Sequence, residues 1–156
     1  MKEEHKKTIT QNRKARHDYF IIETFEAGIA LTGPEVKSLR NGRANLTDSY
    51  GKIEREEIFL ANAHISAYDQ ARQKDYNPTR QRKLLLHKVE IKKLSGRVKE
   101  RGLTIVPLEL YFKNGKAKVA LALAKGKKTY DKRETLRKRA VAKDMQRALR
   151  GKTKGG

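Results

Sequence analysis

Apolar residues recur along the chain in short runs typical of β-strands, and these runs begin at about residue 17. Turn residues and polar stretches separate the runs, as in antiparallel strands that are joined by hairpins. The predicted strands are 19–22, 28–31, 49–53, 58–63, 103–112 and 118–123. Six short strands within roughly a hundred residues favour a small closed antiparallel barrel over an α/β sheet.

Three hairpins are predicted between neighbouring strands. Asn114-Gly115 is the dipeptide that two-residue hairpin turns prefer, because both residues tolerate a positive φ angle. The acidic segment 54–57 predicts an exposed turn between the third and fourth strands. Gly28 supplies the turn of a further hairpin between the first two strands.

Two amphipathic helices interrupt the strands. Residues 33–42 predict a short helix, because Pro34 suits the first turn and Gly42 can end the last one. Residues 88–99 predict a second helix, with apolar residues three or four positions apart and lysines opposite them. Residues 70–83 carry five basic side chains and predict a polar loop between the two helices.

The positive charge is concentrated at the C-terminal end of the chain. The formal net charge is +20, and residues 125–156 carry 13 of the 38 basic residues but only three of the 18 acidic ones. Half of the excess charge therefore lies in the last fifth of the chain. A basic domain with a basic tail attracts polyanions, because lysine and arginine displace counterions from phosphates. Nucleic acid is the partner that this composition favours.

The tail has two interpretations. Its apolar residues recur near helical spacing but thinly, so it could form a marginal helix on a solvated surface. Alternatively, it is disordered alone and becomes helical against phosphate, where the repulsion between its cations is relieved. The concentration of charge favours the second interpretation. Gly126-Lys127-Lys128-Thr129 is not a nucleotide-binding loop, because Leu121 stands where that motif needs its first glycine.

Catalytic and metal-binding residues are sparse. The chain has no cysteine, and its four histidines are scattered without ligand spacing. We therefore expect neither an enzyme nor a cofactor. The N-terminus lacks the apolar segment of a secretory signal, and no run approaches the roughly 20 apolar residues that span a bilayer. The sequence predicts a cytoplasmic protein with no membrane partner.

Several short motifs occur along the chain in a fixed order. They are Asn12-Arg13-Lys14-Ala15-Arg16-His17-Asp18-Tyr19-Phe20, Phe25-Glu26-Ala27-Gly28, Gly33-Pro34-Glu35-Val36-Lys37-Ser38-Leu39-Arg40, Pro78-Thr79-Arg80, Arg82-Lys83-Leu84-Leu85-Leu86, Ala124-Lys125-Gly126-Lys127-Lys128 and Asp131-Lys132-Arg133. Together they resemble the small protein B family, the tmRNA-binding (SsrA-binding) proteins of bacteria. The Glu-Val-Lys-Ser-Leu-Arg block together with Lys-Gly-Lys-Lys is highly specific for that family.

The resemblance implies a function in trans-translation, the rescue of ribosomes stalled on messages that lack a stop codon. It implies a mainly β fold: a six-stranded antiparallel barrel like that of oligonucleotide-binding domains, with two or three flanking helices and a flexible basic C-terminal tail. Such a protein binds the tRNA-like domain of tmRNA and stands in for the missing anticodon arm. It helps to deliver alanyl-tmRNA with elongation factor Tu and GTP, catalyses no covalent chemistry and acts as a monomer.

Carried over by motif, the resemblance assigns two groups of site residues. The expected tmRNA-binding residues are Asn12, Lys14, Arg16, Glu26, Arg40, Leu85 and Lys118. The expected ribosome-binding tail residues are Lys125, Gly126, Lys127, Lys128, Tyr130, Asp131, Lys132 and Arg133. Without the resemblance, Leu85 would be interpreted as an ordinary core residue and Glu26 as a solvated turn residue.

The expected organisation has three parts. Residues 1–16 form a basic N-terminal arm, 17–124 the RNA-binding barrel, and 125–156 a cationic tail that is disordered alone and helical on the ribosome. The tail is expected to enter the empty mRNA channel and to contact ribosomal RNA at the decoding centre. The alternative, from another class, is a structural or ribosomal protein that binds RNA by charge alone.

Overall fold

The chain is mainly β in a computed structural model that describes residues 5–68, 75–100 and 102–127. Within them lie three helices, α1 (Arg13–Asp18), α2 (Gly33–Arg40) and α3 (Lys88–Val98). The strands of these residues are β1 (Lys6–Gln11), β2 (Tyr19–Ile29), β3 (Ala44–Asn45), β4 (Tyr50–Glu54), β5 (Glu57–Ala61), β6 (His64–Ile65), β7 (Arg82–Leu85), β8 (Leu103–Lys113) and β9 (Lys116–Gly126). The mainly β class with flanking helices is as predicted.

Seven strands form one antiparallel sheet in the order β1-β8-β4-β5-β7-β2-β9. Because β8 also pairs with β9, six of these strands make a closed ring of pairings, and β1 joins the ring at β8. Strands β3 and β6 pair separately. The main hydrophobic core contains inward-facing residues of the ring, such as Ile58, Leu84 and Leu121, together with Leu94 of α3.

Two of the three predicted hairpins are present. The turn between β8 and β9 places Asn114 and Gly115 at φ angles of 51° and 81°. The turn between β4 and β5 places Arg55 and Glu56 at 50° and 65°. Both turns have two residues with positive φ, the geometry that matches the twist of the flanking strands.

The hairpin predicted around Gly28 is wrong. Residues 19–29 form the single strand β2, and Gly28 lies within it, paired with Leu85 of β7 on one side and Lys118 of β9 on the other. A Cβ atom at Gly28 would lie 3.2 Å from the Cβ atom of Leu85. The glycine therefore permits close packing of a neighbouring side chain rather than a turn.

The structure extends the folded unit beyond the predicted limits of 17 and 124, which fall inside α1 and β9. Strand β1 escapes sequence analysis because it joins the ring from outside and its lysines are exposed. Helix α1 has only six residues and buries only Ala15, too little for a periodic pattern. The polar loop predicted for 70–83 is also too long, since Arg82 already belongs to β7.

Both predicted helices are confirmed. Helix α2 begins with a capping box in which the Thr32 hydroxyl accepts from the Glu35 backbone and the Glu35 carboxylate accepts from the Thr32 backbone, with Pro34 in the first turn. Helix α3 buries Ile91 and Leu94. In the described part of the chain, no helix has the length and apolar character that crossing a membrane requires.

Candidate nucleic-acid interface

The outer surface of the sheet carries three of the seven predicted tmRNA-binding residues, Glu26 on β2, Leu85 on β7 and Lys118 on β9. Alternation along β9 separates the two faces, since Val119, Leu121 and Leu123 point into the main core. The alternate positions Ala122 and Ala124 belong instead to a second small cluster with Ala15 of α1. Helix α1 therefore covers one part of this outer face, and Lys118, Glu26 and Gly28 lie on the part beyond it.

Asn12 fixes helix α1 to the sheet. Its carboxamide oxygen accepts from the Ala15 backbone at 3.1 Å, and its amide nitrogen donates to the carbonyls of Leu46 and Pro107 at 3.2 and 2.9 Å. The residue is 4% exposed, so its side chain is engaged inside the protein. Asn12 thus orients the helix rather than presenting a free polar group.

The cations of α1 face outward. Lys14 and Arg16 are exposed, and the Lys14 ammonium lies 2.8 Å from the Asp48 carboxylate. The hydrogen bond to Asp48 raises the pKa of Lys14, so the side chain stays charged. Beside them His17 Nδ1 lies 3.0 Å from Asp18 Oδ1, because both residues are helical rather than on opposite faces of a strand.

Leu85 and Lys118 flank Gly28 from the two neighbouring strands. They line a shallow groove of about 310 Å³ together with Val36 of α2 and Phe112. Leu85 is 54% exposed although its neighbour Leu84 is buried, which corrects the interpretation of Leu85 as ordinary core. An exposed leucine beside a lysine can pack on an unstacked base or sugar while the cation contacts phosphate.

Glu26 lies on the same outer face, two residues before Gly28. Its carboxylate accepts a 2.5 Å hydrogen bond from the Tyr111 hydroxyl, and the Lys113 ammonium lies 3.3 Å from Oε1. The hydrogen bond from Tyr111 lowers the pKa of Glu26, and the contact with Lys113 adds to this effect. The carboxylate is therefore ionised at neutral pH and can accept from a base amine or a ribose hydroxyl.

Arg40 lies at the end of α2, one turn after Val36 of the groove. Residues four apart share a helix face, so the exposed Arg40 side chain lies on the side of α2 nearest the groove. The structure thus brings Glu26, Leu85 and Lys118 together and places Arg40 on α2, whose Val36 lines the groove. Lys14 and Arg16 lie on α1, which covers another part of the same face.

The predicted tail residues begin at the far end of β9. Lys125 pairs with Phe20, and Gly126 with Tyr19, at the start of β2. Seven residues of strand, about 23 Å, separate Lys125 from Lys118. Lys127 is the last residue of the described ranges. The other predicted tail residues, Lys128, Tyr130, Asp131, Lys132 and Arg133, lie outside those ranges.

The structure contains a buried ionic cluster that the sequence does not predict. Glu35 accepts from Arg82 Nε at 2.7 Å and from Arg80 Nε at 3.1 Å, and it also accepts from the Tyr76 hydroxyl. From the sequence, Glu35 is predicted only to be an acidic residue of the first helical turn. Arg80 and Arg82 are predicted to be cations of a polar loop. No local pattern signals the cluster, because Glu35 lies more than 40 residues before Tyr76, Arg80 and Arg82 in the chain. Among the described residues, no group of three or more acidic or histidine side chains could hold a metal ion.

Comparison with known proteins agrees with the resemblance found in the motifs. A family model described as "SmpB protein" matches residues 9–151. The SsrA-binding protein of Desulforudis audaxviator is 55% identical over 152 residues, which are 97% of this chain and 99% of the relative. The SsrA-binding protein of Geobacillus thermodenitrificans is 57% identical over 148 residues, 95% of this chain and 96% of the relative.

A solved structure is also similar. It is described as "tmRNA-SmpB: a journey to the center of the bacterial ribosome", and the matching chain is 50% identical with a TM-score of 0.67. The match covers 82% of this chain and 94% of the other. Both the sequence and the fold therefore point to the same family.

Proposed function

The chain belongs to the SmpB protein family, and from this premise we propose that it binds tmRNA in trans-translation through the outer face of β7, β2, β9 and β8. One observation carries the location of the site: Glu26, Leu85 and Lys118, which lie on three different strands, meet around Gly28 on one exposed surface. In this proposal the protein is a binding and delivery factor of the cytoplasm rather than an enzyme.

The chemistry of this surface suits a folded RNA domain. Lys118, Lys14, Arg16 and Arg40 supply cations for phosphates, which fix the position of an RNA without reading its sequence. Leu85 offers an apolar contact, and the ionised Glu26 offers an acceptor for an amine or a 2′-hydroxyl. We propose that these residues hold the tRNA-like domain in the place of the missing anticodon arm, and that the ring of strands serves as an oligonucleotide-binding-like barrel.

The second part of the proposal concerns the ribosome. The tail from Lys125 onward enters the empty mRNA channel and contacts ribosomal RNA near the decoding centre. Alanyl-tmRNA arrives there with elongation factor Tu and GTP. Support comes from the charge of residues 125–156 and from the ribosomal setting of the similar solved structure. Because Lys125 and Lys118 lie at opposite ends of β9, one protein can engage both partners.

A gel-shift competition tests the tmRNA part of the proposal. At about 150 mM salt, the protein should prefer the tRNA-like domain of tmRNA over a duplex RNA of equal length by at least about tenfold, since charge alone gives no such preference. Equal affinities would instead support a protein that binds RNA by charge only.

Two lysine variants locate the interface. Lys118→Gln should weaken binding to the tRNA-like domain and reduce the salt dependence of the affinity by about one phosphate contact. Lys52→Gln is the matched control, because Lys52 is an exposed lysine of β4 that pairs with Glu54 away from the groove. Equal effects of the two variants would place the interface elsewhere.

A further inference from the structure

Tyr111 is a buried residue whose only polar atom points at the candidate interface. The side chain lies in β8 and is 4% exposed, and its hydroxyl donates to Glu26 Oε2 at 2.5 Å. A buried tyrosine hydroxyl requires a partner, and here that partner is a carboxylate on the neighbouring exposed surface. The contact joins residues 85 positions apart.

The ring of Tyr111 is itself held in place from β1. Thr8 lies opposite Tyr111 in the register of the β1–β8 pair, and the Lys6 ammonium lies 4.6 Å from the ring centroid. Lys6 and the Thr8 hydroxyl both bind the Glu109 carboxylate, at 3.0 and 2.6 Å. Because Lys6 is anchored by Glu109, it keeps its place over the ring, and Tyr111 is constrained on both sides.

These contacts orient the Glu26 carboxylate and leave one of its oxygens able to accept a further hydrogen bond. Among the described residues, Oε2 accepts the short bond from Tyr111 and lies 3.4 Å from the Lys113 ammonium, whereas Oε1 has the 3.3 Å contact with Lys113. Each carboxylate oxygen has two acceptor sites, so Oε1 keeps capacity for another donor. The side chain of Glu26 is 41% exposed, which leaves that oxygen open to a ligand.

We propose that Tyr111 is a positioning residue for RNA recognition, which holds the Glu26 carboxylate so that Oε1 accepts from a base amine or a 2′-hydroxyl of the bound RNA. The inference rests on the proposed function, since it assumes that Glu26 contacts tmRNA. It assigns a binding role to β1, a segment expected only to supply charge. A donor on the RNA is specified, because an ionised carboxylate can only accept.

The test combines Tyr111→Phe and Glu26→Gln in a double-mutant cycle, measured as affinity for the tRNA-like domain. Tyr111→Phe keeps the buried ring and its contact with Lys6 but removes the donor. We expect it to weaken binding about three- to tenfold, the effect of losing one oriented hydrogen bond. In the Glu26→Gln background the same change should have little further effect, because both substitutions disable one contact.

A second readout separates positioning from a purely structural role. The Glu26 carboxyl, followed by carbon NMR as pH is lowered, should titrate at higher pH in Tyr111→Phe than in the wild type, and RNA binding should fall off at correspondingly higher pH. Tyr76→Phe is the control for loss of a tyrosine hydroxyl. Tyr76 contacts Glu35 and the Ile65 carbonyl rather than Glu26, so this variant should shift neither the Glu26 titration nor the pH profile.

The outcomes are distinguishable. If the wild type does not prefer the tRNA-like domain, the proposed function fails and the inference fails with it. If the wild type does prefer it but Tyr111→Phe binds equally well, the inference alone is overturned. A loss that is equally large with Glu26 and with Gln at this position would also overturn it, because Tyr111 would then act independently of Glu26.

Discussion

Arg82 and Glu35 form an ion pair in the interior, with Arg82 Nε 2.7 Å from Glu35 Oε2. Arg82 is 0% exposed and Glu35 is 1% exposed. The other guanidinium nitrogens, Nη1 and Nη2, donate to the carbonyls of Ala63 and Pro78, and Nη2 also donates to the Tyr76 hydroxyl, so the charge is solvated by the protein. The pair connects helix α2 to strand β7, which carries Leu85 of the candidate interface at its other end.

Replacing Arg82 by an uncharged residue should destabilise the fold. Arg82→Met leaves Glu35 without its most buried partner, and we expect the free energy of unfolding to fall by about 3–5 kcal/mol. Lys83→Met is the matched control, because Lys83 is the next residue of β7 and its 3.4 Å contact with Glu57 is exposed to solvent. That change should cost less than about 1 kcal/mol. Urea unfolding of both variants measures the difference, and similar losses would contradict the importance of the buried pair.

The same pair should make stability depend on pH. Burial by itself would raise the pKa of Glu35, but hydrogen bonds from Arg80, from the Thr32 backbone and from Arg82 outweigh it and lower the pKa from 4.5 to about 2. The folded state therefore binds the proton less readily than the unfolded state. The stabilisation is complete above pH 4.5 and is lost as pH falls from 4.5 toward 2, by on the order of 3 kcal/mol.

Urea unfolding of the wild type and Glu35→Gln across this pH range isolates the contribution. Other carboxylates with lowered pKa values, such as Glu26 and Glu109, titrate in both proteins and cancel in the difference. The wild type should exceed the variant by a margin that is constant above about pH 5 and shrinks below it. A margin independent of pH would mean that Glu35 is not held as a carboxylate.

Local signals made several elements of the fold predictable. The turn at Asn114-Gly115 and the helix start at Pro34 depend on neighbouring residues, so the sequence predicts β8, β9 and α2 closely. Strand β7 fails as a prediction because one of its two buried positions is filled by Arg82, whose partner Glu35 lies far away in the chain. The hairpin at Gly28 fails because a glycine that permits close packing looks like a glycine that permits a turn.

The candidate site, like the fold, is predicted by the sequence only in part. The family resemblance assigns Glu26, Leu85 and Lys118 to the site, but nothing in their spacing indicates that they meet, because they lie on three different strands. The exposure of Leu85 also cannot be predicted from the sequence, because Leu85 lies within a run of three leucines. Tyr111 and Lys6 escape notice altogether, since their contact exists only through the pairing of β1 with β8.

Closure of the ring should depend on Gly51. It lies opposite Ile105 where β4 meets β8, and a Cβ atom there would lie 2.5 Å from Ile105 Cγ2. Gly51→Ala should therefore destabilise the fold by about 1–3 kcal/mol through overpacking. Gly96→Ala is the contrasting change, since a Cβ at that position in α3 meets no atom within 4 Å. It should stabilise the protein by about 0.5–1 kcal/mol, because alanine favours helix.

Thermal and urea unfolding measure the free energies of unfolding of Gly51→Ala and Gly96→Ala. The steric cause is checked by combining Gly51→Ala with Ile105→Ala, where the glycine substitution should cost less than it does alone. An equal cost in both backgrounds would mean that the contact with Ile105 is not the reason for the glycine.

The tail should be separable from tmRNA binding. Deleting residues 134–156 removes much of the cationic segment and leaves every described residue in place. We expect the truncated protein to keep most of its affinity for the tRNA-like domain, because the proposed contacts lie on the sheet, α1 and α2. Peptide tagging on stalled ribosomes should be abolished in a reconstituted translation assay. Collapse of tmRNA binding would contradict the division into two binding regions.

Two adjacent leucines of β7 are expected to have different roles, Leu84 in stability and Leu85 in RNA binding. Leu84 is 1% exposed and belongs to the main core, so Leu84→Ala should lower the free energy of unfolding by about 2–5 kcal/mol. Leu85 is 54% exposed on the groove, so Leu85→Ala should change stability by less than about 0.5 kcal/mol. Because that side chain is proposed to be buried against RNA, its loss should weaken binding to the tRNA-like domain about tenfold.

The two measurements are urea unfolding and gel-shift affinity, the latter at a temperature where both variants are folded. Leu84→Ala should then bind nearly as tightly as the wild type, since its side chain points away from the groove. The pair shares chain position, residue type and substitution, so a difference in affinity arises from the face on which each leucine lies. If Leu85→Ala bound normally, the groove beside Gly28 would not be part of the RNA interface.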